Sequence, residues 1–550
     1  MGERPLRIAI VSNSDASAGG AGRVAEDLSR GLNAAGHEAI HWVAWTKQGY
    51  TPTRRRLYGE LWQWRFGRAK RAIDKWFVPD LVPFELPNLY LQNLVANYDL
   101  VHFHFLSTAI SPLTLVWFAR RMPTTFTLHD TSAFTGGCIN PLDCKRYLDS
   151  CGSCPQHGAW PIEGRGDWTE STRRLHRWML AEPALDLIAP SAWLIDTLQG
   201  ALRPGGGVTQ IHNGIDTDVF RPATNKAALR ERLGLAPDRP VVLVSSAVLD
   251  NPFKRVEEAL PALNAVKPLR VQTVVMGAAN AATASAFEQI ETRFTGHLSD
   301  PVEIATWMAA ADVLLYPSHG DNQPLTILEA MASGCAVVGY AIGGIPEIVP
   351  SGEAGLLVPK GDTAALAAAL VCLIDDTPRL NAMQSRAAAL VAARHTLPRM
   401  IDLHLSHYRQ LIARRKTAAD PDAIARTQPA AFHDMDERSV CRELLSRALR
   451  AGHTRIAIYG AGKLGFKMIE AARQQSIDVV CVADGDVKLH GLEMLGYPIC
   501  SLAQAAKSQV PCYVVASVAF ATPIVAGIRS HYRDISQPCP AVFSINESAR

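Results

Sequence analysis

Between residues 6 and 340, short β-branched apolar runs alternate with longer helical patterns, and this alternation limits the possible folds more than any single motif does. The runs are "LRIAIVS" (6–12), "EAIHWVA" (38–44), "DLVHFHF" (99–105), "TTFTLH" (124–129) and "DLIAP" (186–190), then "PVVLVSSA" (240–247), "VQTVVM" (271–276), "DVLLYP" (312–317) and "CAVVGY" (335–340). Continuous apolar strands separated by helices form parallel sheets covered on both faces. Two series predict two successive doubly wound α/β domains, 1–204 and 205–389, with a helix at about 390–415 packing back on the first. A third strand–turn–helix pattern begins at "TRIAIYGAGKLG" (454–465), so a third Rossmann-like domain is expected over 439–550, after a linker at 416–438 rich in Ala, Asp and Pro. A chain of 550 residues with 48% apolar content is too long for one core, which agrees with this division.

Bulk charge does not choose a partner. With 55 basic and 52 acidic side chains the net charge is +3, so nothing draws the chain as a whole toward nucleic acid. "MGERPLRIAIVSNSD" lacks the features of a signal peptide, and no apolar run approaches the roughly 20 residues of a spanning helix, so a cytoplasmic protein is expected.

The stretch "DNQPLTILEAMASG" (321–334) places Asp321 before a helix and Glu329 within it. Pro324 suits the first turn and Gly334 the C-terminal stop, which leaves the amides near Leu325, Thr326 and Ile327 as donors at the positive end of the helix dipole. Glu329 shares an arc with Leu325, Leu328 and Ala332. A carboxylate there needs hydrogen-bond donors: the vicinal hydroxyls of a ribose, or a salt bridge or cap to a neighbouring loop. Lys254 in "NPFKR" follows the first strand of the second domain, at the carboxyl edge where open sheets bind ligands, and "GGIPE" (343–347) makes a glycine turn after a later strand. In the first domain, "ASAGGAGRVAEDL" (16–28) puts Gly19 and Gly20 at a helix start, where a phosphate can approach the backbone closely.

"PSHGDNQPLTILEAMASGCAVVGYAIGGIPE" (317–347), together with "NGIDTDVF" (213–220), resembles the retaining glycosyltransferases of family 4, over roughly residues 5–410. The resemblance implies a GT-B fold, two doubly wound Rossmann-like domains facing a cleft, and transfer of a sugar from a nucleotide diphosphate sugar to a glycan or lipid-linked hydroxyl in surface polysaccharide or lipopolysaccharide assembly. It further implies Glu329 on the ribose, Asp321 on the sugar hydroxyls, Lys254 on the diphosphate with the Thr326 and Ile327 amides, Gly19 and Gly20 lining the donor cleft, and His129 of "TLHD" near the reacting sugar. His129, Asp321 and Lys254 are therefore the expected catalytic residues, with no cofactor required. Two departures stand out. Asp321 replaces the first Glu of the family's Glu-x7-Glu pattern, and "SSAVLDNPFK" lacks the arginine that precedes the lysine in many members, while Arg255, next to Lys254, is expected to point away. A GT-B nucleotide-sugar 2-epimerase and a non-catalytic sugar-nucleotide sensor are the alternatives.

Four features fall outside that reading. Asp130 follows His129 at the same strand end, and His102 and His104 in "VHFHF" share one strand face as core or acceptor-wall residues. Cys138, Cys144, Cys151 and Cys154 have the spacing C-x5-C-x6-C-x2-C, open to a structural zinc, reduced thiols or disulfides. Similar cysteine-rich insertions occur in family 4 enzymes that look like colanic-acid and O-antigen transferases. Between Arg54 and Lys75 lie eight basic and two acidic residues interleaved with Trp62, Trp64 and Phe66, then Trp76 and Phe77: either an amphipathic helix covering the first domain or a docking face for an anionic membrane. In the third domain, Gly460, Gly462 and Gly465, with Asp484 ending the next strand, have the context of a dinucleotide fingerprint, with a regulatory or assembly role as the alternative.

Overall fold

A computed structural model of the chain describes residues 4–60, 63–106, 109–419, 437–517, 521–535 and 537–544. It divides into two compact units, residues 1–415 and 416–550.

The first unit holds two sheets, both parallel throughout. The first contains β1 (Arg7–Ser14), β2 (Glu38–Trp45), β3 (Arg54–Arg56), β4 (Leu100–His104), β5 (Thr124–Thr127), β6 (Leu185–Ala189) and β7 (Val208–Gln210) in the order β3-β2-β1-β4-β5-β6-β7. The second contains β8 (Val241–Val248), β9 (Gln272–Ala278), β10 (Thr292–Gly296), β11 (Val313–Tyr316), β12 (Ala336–Tyr340) and β13 (Gly355–Val358) in the order β10-β9-β8-β11-β12-β13. The strand order therefore reverses between β1 and β4 in one sheet and between β8 and β11 in the other, and such switch points are where doubly wound sheets bind ligands.

The central strands are almost wholly buried, which is why their sequences read as unbroken apolar runs. β7 pairs in parallel with β6, so the first sheet extends past the expected 204/205 boundary. The helix Leu397–Ala419 packs Met400, Ile401, Leu405 and Tyr408 against Ile8, Ile10, Val24 and Leu28 of the first domain, as the sequence predicts. It also occupies the first residues of the expected linker, and most of the remainder, 420–436, lies outside the described residues.

The second unit carries β14 (Arg455–Tyr459), β15 (Asp478–Ala483), β16 (Glu493–Met494), β17 (Tyr497–Cys500), β18 (Cys512–Val515) and β19 (Ala541–Phe543) in the order β16-β17-β15-β14-β18-β19. All its pairs are parallel except the short β16–β17 hairpin, so the third sheet is mixed.

Candidate functional site

The two switch points of the first unit face each other through two helix starts. After β1 the chain turns at Gly19, whose φ of 130° favours glycine, into the helix Gly20–Ala34. Opposite stands the helix Leu325–Ala332, and a Cβ built on Gly20 would lie 4.0 Å from Leu325 Cδ1. Pro324 is the N-cap of that helix, one position before the expected first turn, and because it has no polar side chain it caps no amide. The Ile327 amide turns back to the Pro324 carbonyl at 3.2 Å, so it is not the open donor expected. Leu325 and Thr326 begin the helix beside the Gly19–Gly20 turn, with their amides uncapped at the positive end of the helix dipole.

One helical turn further on, Glu329 is 4% exposed. Its Oε1 lies 2.8 Å from Nη1 of Arg23, which comes from the opposite helix, yet no donor is aligned to hydrogen-bond that oxygen. Burial pushes the Glu329 carboxyl above its ordinary range, and the guanidinium partly opposes this. The salt-bridge alternative for Glu329 is thus realised, with a partner in the other domain.

Asp321 and Lys254 meet at the ends of β11 and β8. Lys254 Nζ donates to both Asp321 oxygens at 2.6 and 2.8 Å, and Asp321 also accepts from Tyr316 Oη at 3.0 Å and Ser318 Oγ at 2.5 Å. Burial alone would lower the Lys254 pKa, but Asp321 and Tyr316 override it and the net shift is upward, so the ammonium stays charged. The two residues expected on different parts of the donor are joined here in one network. Arg255 is directed elsewhere, as anticipated: its backbone is left-handed and its side chain pairs with Glu258 at 2.9 Å and Glu257 at 3.2 Å.

His129 lies two residues past the end of β5, and its carbonyl accepts from Asn322 Nδ2 at 3.0 Å. Its Nε2 is 2.9 Å from Nδ1 of buried His104, and burial lowers its pKa to about 3, so the ring is neutral near pH 7. Burial raises Asp130 to about 6, and its carboxylate accepts from the Ser132 amide. His102 and His104 are fully buried, as a core reading expects, and His102 is locked by Tyr408 at 2.6 Å and Thr127 at 2.7 Å.

Sequence reasoning left out the cleft-spanning partners. Arg23 reaches Glu329, Asn322 binds Ser191 and the His129 carbonyl, and Glu347 accepts from the amides of Ala192 and Trp193 at 2.8 Å each. One signal was available: Arg23 follows Gly20 by three residues and so shares its helix face.

Cys138, Cys144, Cys151 and Cys154 all line one cavity and form no disulfide. Among the described residues, however, no three His, Cys, Asp or Glu groups are arranged to hold a metal ion. Backbone amides instead approach the sulfurs, that of Gly136 at Cys151 and those of Gln156 and His157 at Cys154. Of the basic aromatic stretch, Arg54–Arg56 are β3 and Gln63–Asp74 is a helix, with Trp62 outside the described residues. Gln63, Gly67 and Lys70 are buried on one side, whereas Trp64, Trp76 and Phe77 are exposed, and Arg68 and Arg165 cover the Trp64 and Trp76 rings. Among the described residues no helix is long and apolar enough to cross a membrane.

In the second unit, Gly462 caps the helix Lys463–Gln474, and a Cβ on Gly465 would stand 2.0 Å from the Gly460 carbonyl, the close approach such a glycine serves. Both oxygens of Asp484 accept backbone amides, from Ala461 at 2.6 Å and Asp486 at 2.8 Å, which ties the glycine turn to the loop after β15.

Residues 18–219 match the family model described as Glycosyltransferase Family 4, and residues 239–376 match the one described as Glycosyl transferases group 1. Curated relatives include a D-inositol 3-phosphate glycosyltransferase of Streptomyces avermitilis, 34% identical over 34% of this chain and 42% of its own length. Another of the same name, from Acidothermus cellulolyticus, is 30% identical over 46% of this chain and 60% of its own. The chain thus spans about half the length of the curated relatives it matches. Among solved structures, sucrose-phosphate synthase of Thermosynechococcus elongatus is similar with a TM-score of 0.56 at 21% identity, covering 74% of this chain and 100% of that one. Anabaena HepE in complex with UDP-glucose is similar with a TM-score of 0.52 at 19% identity, covering 75% and 99%. The fold of the first unit is GT-B, and along it two glycosyltransferase family models match in order, one over residues 18–219 and one over residues 239–376.

Proposed function

We propose that the first unit is a retaining glycosyltransferase that moves a sugar from a nucleotide diphosphate sugar to a hydroxyl of a glycan or lipid-linked acceptor in surface polysaccharide assembly. The observation that carries this reading is the convergence, between two switch points, of the Gly19–Gly20 turn, an uncapped helix start, the Lys254–Asp321 pair and the buried Glu329. Anabaena HepE, of the same fold, is described in complex with UDP-glucose, which supports a donor of this class.

In this reading the diphosphate lies against the amides of Leu325 and Thr326, where the helix dipole and Lys254 stabilise the charge that grows as it departs. Glu329 accepts from the ribose hydroxyls and Asp321 from the sugar. The acceptor oxygen attacks the anomeric carbon on the face the phosphate leaves. As the carbon–phosphate-oxygen bond breaks, the leaving phosphate takes the acceptor proton, giving a glycoside with retained configuration and a nucleoside diphosphate. His129, neutral and held by His104, serves as a hydrogen-bonding wall beside the sugar and not as an acid. Exposed Trp64, Trp76 and Phe77 with their arginines fit an anionic bilayer bearing the acceptor, which flotation with anionic and neutral liposomes tests.

The deciding experiment is a thermal-shift screen of nucleotide sugars, followed by mass spectrometry of candidate acceptors with the stabilising donor. A glycosylated acceptor is expected. An epimerised donor, or binding without transfer to any acceptor, overturns the reading.

A further inference from the structure

On the second domain the diphosphate site has one cation, Lys254, and lacks a second. "SSAVLDNPFK" contains no arginine, Arg255 is committed to Glu257 and Glu258, and Lys254 is shared with Asp321. A helix start offers the equivalent of only about half a charge against a diphosphate.

We infer that Arg23 supplies the missing cation, held on Glu329 until the donor takes its place; this rests on the donor site proposed above. Three observations converge on it. First, Arg23 lies in the opening turn of the Gly20 helix, three residues after Gly20, and its guanidinium already crosses to the facing helix, where it meets Glu329. Second, its present pairing is incomplete. Glu329 is 96% buried by its 4% exposure, and its Oε1 has Arg23 at 2.8 Å but no aligned donor, so the carboxylate still awaits hydroxyl or amide hydrogens. Third, Arg23 is loosely held elsewhere. Asp27 is 3.7 Å away and itself pairs with Arg30 at 2.9 Å, and the Phe220 ring centroid is 5.5 Å away, so a one-turn swing sacrifices no strong bond.

Glu329 sits one turn beyond the uncapped Leu325 and Thr326 amides on its own helix, and Arg23 sits beyond Gly20 on the other. A nucleotide with its phosphates at those amides therefore brings its ribose to Glu329. Two vicinal hydroxyls then satisfy the carboxylate and release the guanidinium, whose planar fork matches two phosphate oxygens. Arginine from the first domain would thus replace the arginine absent from the second, and nucleotide binding would join the two domains through the phosphate.

The test is calorimetry on the full chain with UDP, GDP, ADP, CDP and dTDP, continued with the tightest binder, its monophosphate and its nucleoside. For R23A the diphosphate should bind roughly ten- to hundredfold more weakly, while the nucleoside binds as well as or better than to wild type because Glu329 has lost a competing partner. R23K should recover part of the diphosphate affinity, and thermal unfolding of both variants verifies that each is folded. Unchanged diphosphate affinity in folded R23A, or an equal loss for diphosphate and nucleoside, overturns the role of Arg23 alone. If the wild-type chain binds none of the five diphosphates, the donor site falls and Arg23 with it.

Discussion

Replacing Glu329 with glutamine separates a ribose acceptor from a structural ion pair, because the two roles give opposite patterns. The side chain keeps its shape and loses its charge. In the protein alone, the change ends the 2.8 Å ion pair with Arg23 and at the same time removes a buried carboxylate whose pKa is already raised by burial. Arg23 is 21% exposed and has Asp27 at 3.7 Å, so it is not left as a stranded buried charge, the case that costs about 3–5 kcal/mol. A partly exposed pair contributes about 0–1 kcal/mol, and relief of desolvation offsets part of that. Unfolding in urea should therefore shift by less than about 1 kcal/mol. The effect on the donor is larger. Hydrogen bonds to a charged group are worth about 1.5–3 kcal/mol, so exchanging the carboxylate for an amide should weaken a ribonucleoside diphosphate by roughly ten- to hundredfold. A 2′,3′-dideoxynucleotide closes the cycle: it should bind wild type more weakly than the ribonucleotide, and bind Glu329→Gln and wild type about equally. If Glu329→Gln loses more than about 3 kcal/mol of stability and still prefers the ribonucleotide by the wild-type ratio, Glu329 is a structural ion pair.

Three further outcomes follow from other groups. Glu85 is fully buried, one of its oxygens lacks a partner, and burial raises its pKa from 4.5 to about 7. A raised folded pKa gives stability that is complete below pH 4.5 and lost as pH rises through about 7, so Glu85→Gln should flatten that decline and gain about 3 kcal/mol over wild type above pH 7; parallel pH profiles for the two proteins would refute this. Glu347→Ala leaves the Ala192 and Trp193 amides, at the start of the helix Ala192–Ala201, without the carboxylate that joins the two domains, which should cost about 1–2 kcal/mol in urea denaturation; an unchanged midpoint would show the contact to be energetically silent. With its pKa lowered to about 3, the His129 imidazole should give a neutral-ring nitrogen NMR signature throughout pH 5–8, and a titration near pH 6.5 would remove the neutral-wall role.

The strands that were legible in the sequence and those that were not differ in where they lie. The nine runs read as strands in the first two domains are observed, and the four overlooked ones, β3, β7, β10 and β13, are the edges of the two sheets. An edge strand is covered incompletely, so β3 and β10 show hardly any buried positions and carry no apolar run to recognise. The overlooked β7 also displaced the domain boundary. Pro324 as N-cap, one position early, changed which amides remain available, since the Ile327 amide closes the turn that the proline begins. The cysteine spacing left zinc, reduced thiols and disulfides open; in the fold the four thiols line one cavity and form no disulfide, an outcome that depends on the loop's three-dimensional path and not on spacing.

What the sequence could not show was how each acidic group is compensated, because the partner arrives from elsewhere in the fold. Glu329 is paired by Arg23 from the other domain, and Asp321 by Lys254 from another loop. Buried or half-buried carboxylates without such partners would cost several kcal/mol each, so a cleft lined with acids has to provide its own counter-charges. The identity of those counter-charges then matters for binding. In the proposed donor site, a donor that offers hydroxyls to Glu329 and Asp321 would also offer a diphosphate to Arg23 and Lys254, so each charged group would exchange one partner for another. Affinity in such a site is the difference between two sets of pairs. A substitution of either cation should therefore affect phosphate recognition more than nucleoside recognition, even though in this structure each cation is paired with a carboxylate.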